Sequence, residues 1–246
     1  MKKTIPRGNT LTLSLAFVVG CTTSTPLETL LPLSKEVTAI PTGGSYAYLI
    51  VKDRHAVLID AGSDPSGKTI LTALEKHQLT PSDVKGILLT HGHRDSWAAA
   101  HLFPHATIVI GSQDYSLLRG DRLPKALLAR LFTRFSAKPP VPPNIYLALP
   151  GERLHFGDLI LDIMPTPGHT PGSSSYRFSD MVFVGESVLW TKDGFRLSPW
   201  YWCDQCKNSY RSLNNLLAWP FETLLDGHGG HTHDAHQRLL DWLEKL

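Results

Sequence analysis

The sequence predicts an α/β layered fold, and three observations predict it. Short apolar runs alternate with segments that carry an apolar stripe at helical spacing, the pattern of strands laid against helices. Several of those runs stop at glycine or proline beside ligand-type side chains, and strand-end loops are where α/β scaffolds place their sites. The 246 residues, 42% hydrophobic and 19% charged, suffice for one full core or two small ones.

The chain opens with a leader. Lys2, Lys3 and Arg7 precede an apolar run, Leu11 to Val19, that is too brief to span a bilayer. It ends Val18-Val19-Gly20-Cys21, which resembles a bacterial lipoprotein signal, in which cleavage leaves a lipidated cysteine at the new N-terminus. An ordinary secretory peptide with an incidental cysteine, or a buried strand, is the plainer alternative. Thr22 follows Cys21 where an aspartate would favour inner-membrane retention. The expectation is therefore a cell-envelope protein, lipid-anchored in the outer membrane and facing the periplasm. Residues 21–35, rich in Thr, Ser and Pro up to Pro32, read as a tether, and residues 36–246 as the folded domain. The formal net charge is +2, and removing the leader leaves 21 bases against 22 acids, which gives no case for a nucleic-acid partner.

Tyr46 to Val51 and Ala56 to Asp60 read as paired strands about the Asp53-Arg54-His55 turn. A helix from about Ser66 to His77 follows, striped by Ile70, Leu71 and Leu74. Gly86 to Leu89 is a short buried strand, Trp97 to Leu102 a short helix, and Thr107 to Ile110 another strand.

Residues 115–143 interrupt the alternation. Arg119, Arg122, Lys125, Arg130, Arg134 and Lys138 face the single acid Asp121 and are interleaved with Leu127, Leu128, Leu131, Phe132 and Phe135. This reads as a basic amphipathic helix closed by Pro139-Pro140-Val141-Pro142-Pro143: a solvated face, a lid favouring anionic substrates, or a contact with an anionic membrane. Strands resume at Asn144 to Leu149, Leu154 to Phe156 and Leu159 to Met164, then in a hairpin, Ser174 to Phe178 and Met181 to Val184. A helix is expected from Pro199 to Trp219, a strand at Thr223 to Leu225, and a last helix from Asp234 to Leu246.

Four strand ends carry metal-binding side chains. In an extended segment residues two apart share a side, so His91, His93 and Asp95 in Thr90-His91-Gly92-His93-Arg94-Asp95-Ser96 converge. Two imidazoles and a carboxylate suit a borderline cation such as zinc. The later strand ends add His169 in Pro167-Gly168-His169-Thr170-Pro171-Gly172, Glu186 after Gly185, and His228 in Gly227-His228-Gly229. His231 and His233 read as solvated loop residues that lie close to His228. Cys203 and Cys206 form a C-x-x-C spacing that suits a redox pair, half a metal site or a local disulfide. No second C-x-x-C completes a thiolate site, so a structural disulfide is the default reading.

These motifs, in this order and with Leu58-Ile59-Asp60-Ala61-Gly62, resemble the metallo-β-lactamase superfamily over roughly residues 36 to 235. The resemblance implies a four-layer αββα sandwich and a zinc hydrolase. It implies that His91, His93 and His169 bind a first metal, and that Asp95 and His228 serve a second, with Glu186 in the place of a bridging aspartate. Three imidazoles with an open fourth position suit a catalytic zinc that brings the pKa of bound water to about 7. Asp95 would then carry a proton to the leaving group. The family's motif commonly reads His-x-His-x-Asp-His; here Ser96 stands in the last position, and Glu186 is one methylene longer than aspartate. The first metal is therefore expected to bind firmly and the second weakly, with iron or manganese open as occupants.

The resulting expectation is a metal-dependent hydrolase acting on a small ester, thioester, lactone or amide/lactam, anionic if the basic insertion is a lid. Two rivals stand beside it: a mononuclear iron dioxygenase of the same fold, against which Ser96 argues, and a non-catalytic metal- or ligand-binding lipoprotein.

Overall fold

Seven strands pair in chain order in a computed structural model that describes residues 29–135 and 139–246. The expected leader and the expected lipidation site Cys21 lie outside the described residues. Strands β1 (Leu31–Pro32), β2 (Val37–Pro41), β3 (Tyr46–Lys52) and β4 (His55–Ile59) are antiparallel neighbours. Asp53 and Arg54 close the β3–β4 hairpin with φ of 48° and 67°, the left-handed pair that a two-residue turn between twisted strands requires. Helix α1 (Lys68–Lys76) then crosses over to β5 (Val84–Leu88), and β6 (Thr107–Gly111) continues the sheet in parallel. Helices α2 (Tyr115–Arg119) and α3 (Leu127–Phe135) intervene before β7 (Ile145–Ala148), which pairs parallel to β6.

The second sheet begins with β8 (Arg153–Phe156), β9 (Leu159–Pro165), β10 (Ser174–Phe178) and β11 (Met181–Gly185), each antiparallel to the one before. A two-stranded ribbon, β12 (Leu189–Thr191) with β13 (Gly194–Arg196), and helix α4 (Ser209–Leu216) separate it from β14 (Thr223–Asp226), which pairs parallel to β11. Strand β15 (His231–Thr232) adds the edge and helix α5 (Ala235–Leu243) closes the chain, giving the spatial order β15-β14-β11-β10-β9-β8.

Side chains that alternate faces distribute these strands over three apolar interfaces. Leu49 and Leu58 point outward with Ile70, Leu74, Trp97 and Phe103, beneath α1. Tyr48, Ile50, Val57 and Ile59 point inward, against Leu161, Ile163, Tyr176 and Phe183 of the second sheet. On the far side Val182, Val184 and Leu224 meet Leu213, Leu216, Leu239 and Leu243 of α4 and α5. The result is the helix–sheet–sheet–helix sandwich. Because both faces of each sheet are covered, its central strands read as continuous apolar runs.

The elements depart from expectation in five places. Leu31–Pro32, expected in the tether, pairs with Thr38 and Ala39, and Leu31 and Leu33 pack on the inter-sheet core. The basic insertion is two helices, because Gly120 caps α2 in the left-handed region at φ 77°. The helix expected from Pro199 starts at Ser209, after a turn of 3₁₀ helix at Cys206–Asn208. There the Asp204 and Gln205 N–H groups donate to His169 O and Gly168 O instead of to a helix. Within the segment Trp97 to Leu102 one 3₁₀ turn, Ala100–Leu102, stands where a helix was expected. Finally, β2, β12, β13 and β15 were not foreseen; they are short, or they frame loops with no alternating pattern.

Candidate metal centre

The loops at one end of both sheets meet, and they bring together every metal-binding residue expected from the sequence. From the first sheet come His91, His93 and Asp95, just beyond β5. From the second come His169, between β9 and β10, Glu186, just after β11, and His228, just after β14. His91, His93 and His169 are buried, and their rings stand nearly perpendicular in pairs, with centroids 4.7 to 5.0 Å apart. Glu186 lies among the imidazoles, 3.6 Å from His91 Nε2, 3.5 Å from His169 Nδ1 and 3.6 Å from His228 Nε2. Asp95 Oδ1 is 3.5 Å from His91 Nε2. Donor atoms of His91, His93 and His169 lie within 4.8 Å of one another, as do those of His91, Asp95 and Glu186.

Backbone hydrogen bonds hold this geometry. Asp60 accepts from Thr90 N (2.8 Å) and Thr90 Oγ1 (2.7 Å), and that hydroxyl lies 3.1 Å from His91 Nδ1, which directs Nε2 into the cluster. Asp114 is fully buried and accepts from Gly92 N and Gly172 N at 2.8 Å each and from the Thr170 hydroxyl. One carboxylate therefore ties the loop of His91 and His93 to the loop of His169. Ser96 Oγ donates to His91 O (2.8 Å) and His93 O (2.7 Å), so this side chain braces the loop and does not face the cluster. Ser198 Oγ lies 3.0 Å from His169 Nδ1, and Gly44 O 3.0 Å from His228 Nδ1. Gly185 adopts φ 53° with Thr90 so close that a Cβ would strike it; the two sheets approach there only because it is glycine.

The charges are strongly coupled. Burial alone would hold the His91 imidazole neutral, but Asp95, Glu186 and Asp60 outweigh it and raise the pKa to about 9. His228 is likewise raised to about 10, against burial, by Glu186, Asp226 and Asp95. His169 is driven well below its ordinary value by burial. Glu186 is held well below the carboxylate range because His169, His228 and His91 overcome its desolvation. Burial lifts Asp60 to about 7 and Asp226 to about 6.

The residues fit a metal. His91 Nε2, turned to Asp95 and Glu186, is buried with no hydrogen-bond partner, a state that natural cores avoid because it costs roughly 1–3 kcal/mol per group, and His93 Nδ1 faces His169 Nε2 at 2.9 Å. Imidazole nitrogens and carboxylates are donors that zinc, iron and manganese all accept.

The family model of the metallo-beta-lactamase superfamily matches residues 40–235, and this chain belongs to that superfamily. Protein YobT of Bacillus subtilis, described as uncharacterized, is 34% identical over 135 residues, covering 52% of this chain and about half (54%) of that protein. The uncharacterized Rv2581c of Mycobacterium tuberculosis is 30% identical over 216 residues, covering 78% of this chain and 88% of its own. A hydroxyacylglutathione hydrolase of Anaeromyxobacter dehalogenans is 29% identical over 197 residues, covering 78% and 62%. In fold, the metallo-beta-lactamase SMB-1 bound to 2-mercaptoethanesulfonate superimposes with a TM-score of 0.68 at 19% identity, over 90% of this chain and 95% of that one.

Two functional side chains escaped the sequence reading. Asp114 ends no apolar run and belongs to no motif, so nothing local marks it. Ser198, beside His169, lies in a loop whose path only the second sheet decides. Cys203 and Cys206 are joined, Cα atoms 5.5 Å apart, in the loop that supports His169. Strand β15 holds His231 half-buried, and His233 is exposed with Nδ1 3.1 Å from Thr223 Oγ1.

Proposed function

We propose that this chain is a metal-dependent hydrolase of a small ester, thioester, lactone or amide/lactam, working in the periplasm and tethered to the outer membrane through a lipidated Cys21. The observation that carries the reading is the convergence of three buried imidazoles: donor atoms of His91, His93 and His169 lie within 4.8 Å of one another, with His93 Nδ1 turned to His169 Nε2 at 2.9 Å. His91, His93 and His169 would hold the zinc, which would supply Lewis-acid chemistry there. The remaining work falls to the protein. Asp95, its side chain 25% exposed, stands at the mouth and takes up and returns a proton at Oδ1; Ser45 Oγ fixes its backbone by donating to Asp95 O at 2.6 Å. Glu186 and His228 offer donors to a second cation, but Ser96 adds none because its hydroxyl is spent on the backbone. The relative named as a hydroxyacylglutathione hydrolase supports hydrolysis as the reaction class.

The test is a panel of esters, thioesters, lactones and lactams run on zinc-loaded protein, with His93→Ala as control. Turnover that disappears in the variant supports the hydrolase. A panel with no histidine-dependent turnover would overturn it and leave a metal- or ligand-binding lipoprotein.

A further inference from the structure

Helix α3 is an amphipathic helix turned the wrong way for a core. Of its nine residues Ala129 alone is buried, while Leu127, Leu131 and Phe135 are 60%, 42% and 80% exposed. Spaced four apart, these three form one stripe about 12 Å long. The stripe continues onto the loop before α4. Leu128 N donates to Tyr201 O at 3.2 Å, the Phe132 ring lies 6.3 Å from Trp202, and Trp200 stands 75% exposed beside Tyr201. Lys125, Arg130 and Arg134 flank the stripe and are exposed. The neighbouring acids are engaged: Asp121 with Arg119 at 3.0 Å, and Asp204 with Lys125 N and Ala126 N at 2.9 Å each.

We propose that this face docks on an anionic phospholipid bilayer. Leu127, Leu131, Phe135 and Trp200 enter the boundary between headgroups and acyl chains, and Lys125, Arg130 and Arg134 meet the phosphates. Charge selects this occupant, because a second copy would set cation against cation. Extent separates it from a substrate lid, since the exposed stripe and the Trp200 loop together exceed the footprint of a small molecule. Asp204 is a rigid coupler here. It accepts from the start of α3 through Oδ1 and donates its own N–H to His169 O at 2.7 Å, so a docked face fixes the orientation of the metal centre to the membrane.

The test uses the full chain carrying Cys21→Ser, which cannot be acylated, with vesicles of phosphatidylcholine alone or mixed with phosphatidylglycerol. Every variant keeps the same leader, so differences among variants read the α3 face. Sedimentation with the mixed vesicles is expected, weakened by salt, with a blue shift in tryptophan emission that Trp200→Phe removes. Replacing Arg130 and Arg134 by Ser should lower partitioning about fivefold per arginine. Leu131→Ser with Phe135→Ser should lower it more than about tenfold. Zinc content and circular dichroism should stay unchanged, since these side chains are exposed. Equal partitioning of parent and variants, binding to neutral vesicles alone, or a concentration-dependent dimer abolished by Leu131→Ser would each overturn the proposal.

Discussion

The loop from Thr90 to Trp97 and helix α3 solve opposite problems. The loop is polar yet buried, and it survives because its groups are satisfied: Gly92 N by Asp114, the carbonyls of His91 and His93 by Ser96, Gly92 O by the Trp97 indole at 3.2 Å. What it leaves without a hydrogen-bond partner are the Nε2 atoms of His91 and His93, while His93 Nδ1 faces His169 Nε2 at 2.9 Å. Helix α3 is apolar on its open side yet exposed, and it is held at its start by Asp204 while its side chains contribute little to the core. The contrast teaches that departures from the rule of apolar inside and polar outside mark where a molecule expects something from outside itself.

Removing a ligand should break the first region most completely. His93→Ala is expected to reduce bound zinc to trace and turnover by at least about a hundredfold, read by metal analysis and the hydrolysis assay. Asp114→Ala strands two buried N–H groups and a hydroxyl at once; urea unfolding should show a loss of about 3–5 kcal/mol. Asp60 offers a pH test in the metal-free protein. Its pKa is raised in the fold to about 7, so the folded state binds more protons than the unfolded chain and stability falls as pH rises from about 4 to 7. Asp60→Asn should flatten that slope in denaturation series taken across the range. Ser96→Ala should cost about 1–2 kcal/mol through the lost hydroxyl donor, which leaves His91 O without it while His93 O keeps the residue 96 N–H. Ser96→His should not add a metal equivalent, since the residue is buried at 2% exposure and a ring there overpacks the loop. On α3 the same measurement should barely respond: Phe135→Ser is expected to change unfolding by under about 0.5 kcal/mol.

Much of this was legible in the chain because the information is local. A strand buried on both faces announces itself as an unbroken apolar run, and the polar residue that stops it marks the sheet's end; β5 with His91, β11 with Glu186 and β14 with His228 all read this way. The helix ending at Lys76 was visible from Ile70 and Leu74 for the same reason. What was illegible depends on partners far along the chain. Nothing near Asp114 says that it will accept from Gly172, 58 residues on, and nothing near Pro199 says that Asp204 and Gln205 will spend their N–H groups on the His169 loop. Residues 115–143 carried a correct composition and a misleading continuity, because Gly120 breaks the helix in a way that a charge pattern does not register.

Glu186 follows one, and Asp226 ends the other, of two parallel strands from separate parts of the chain, with Gly185 registered opposite Asp226 and its carbonyl accepting from Gly227 N at 2.8 Å. His91, His93 and Asp95 follow β5 of the other sheet, so the binding set is divided between the sheets, three donors from each. No fragment that folds one layer owns a site, and an ion captured there is a bolt between layers. Affinity for the ion then becomes unfolding resistance by mass action, so titrating metal should raise the melting temperature of the whole domain as one cooperative unit. The chemistry of the cleft and the endurance of the sandwich are, in this molecule, one equilibrium viewed from two ends.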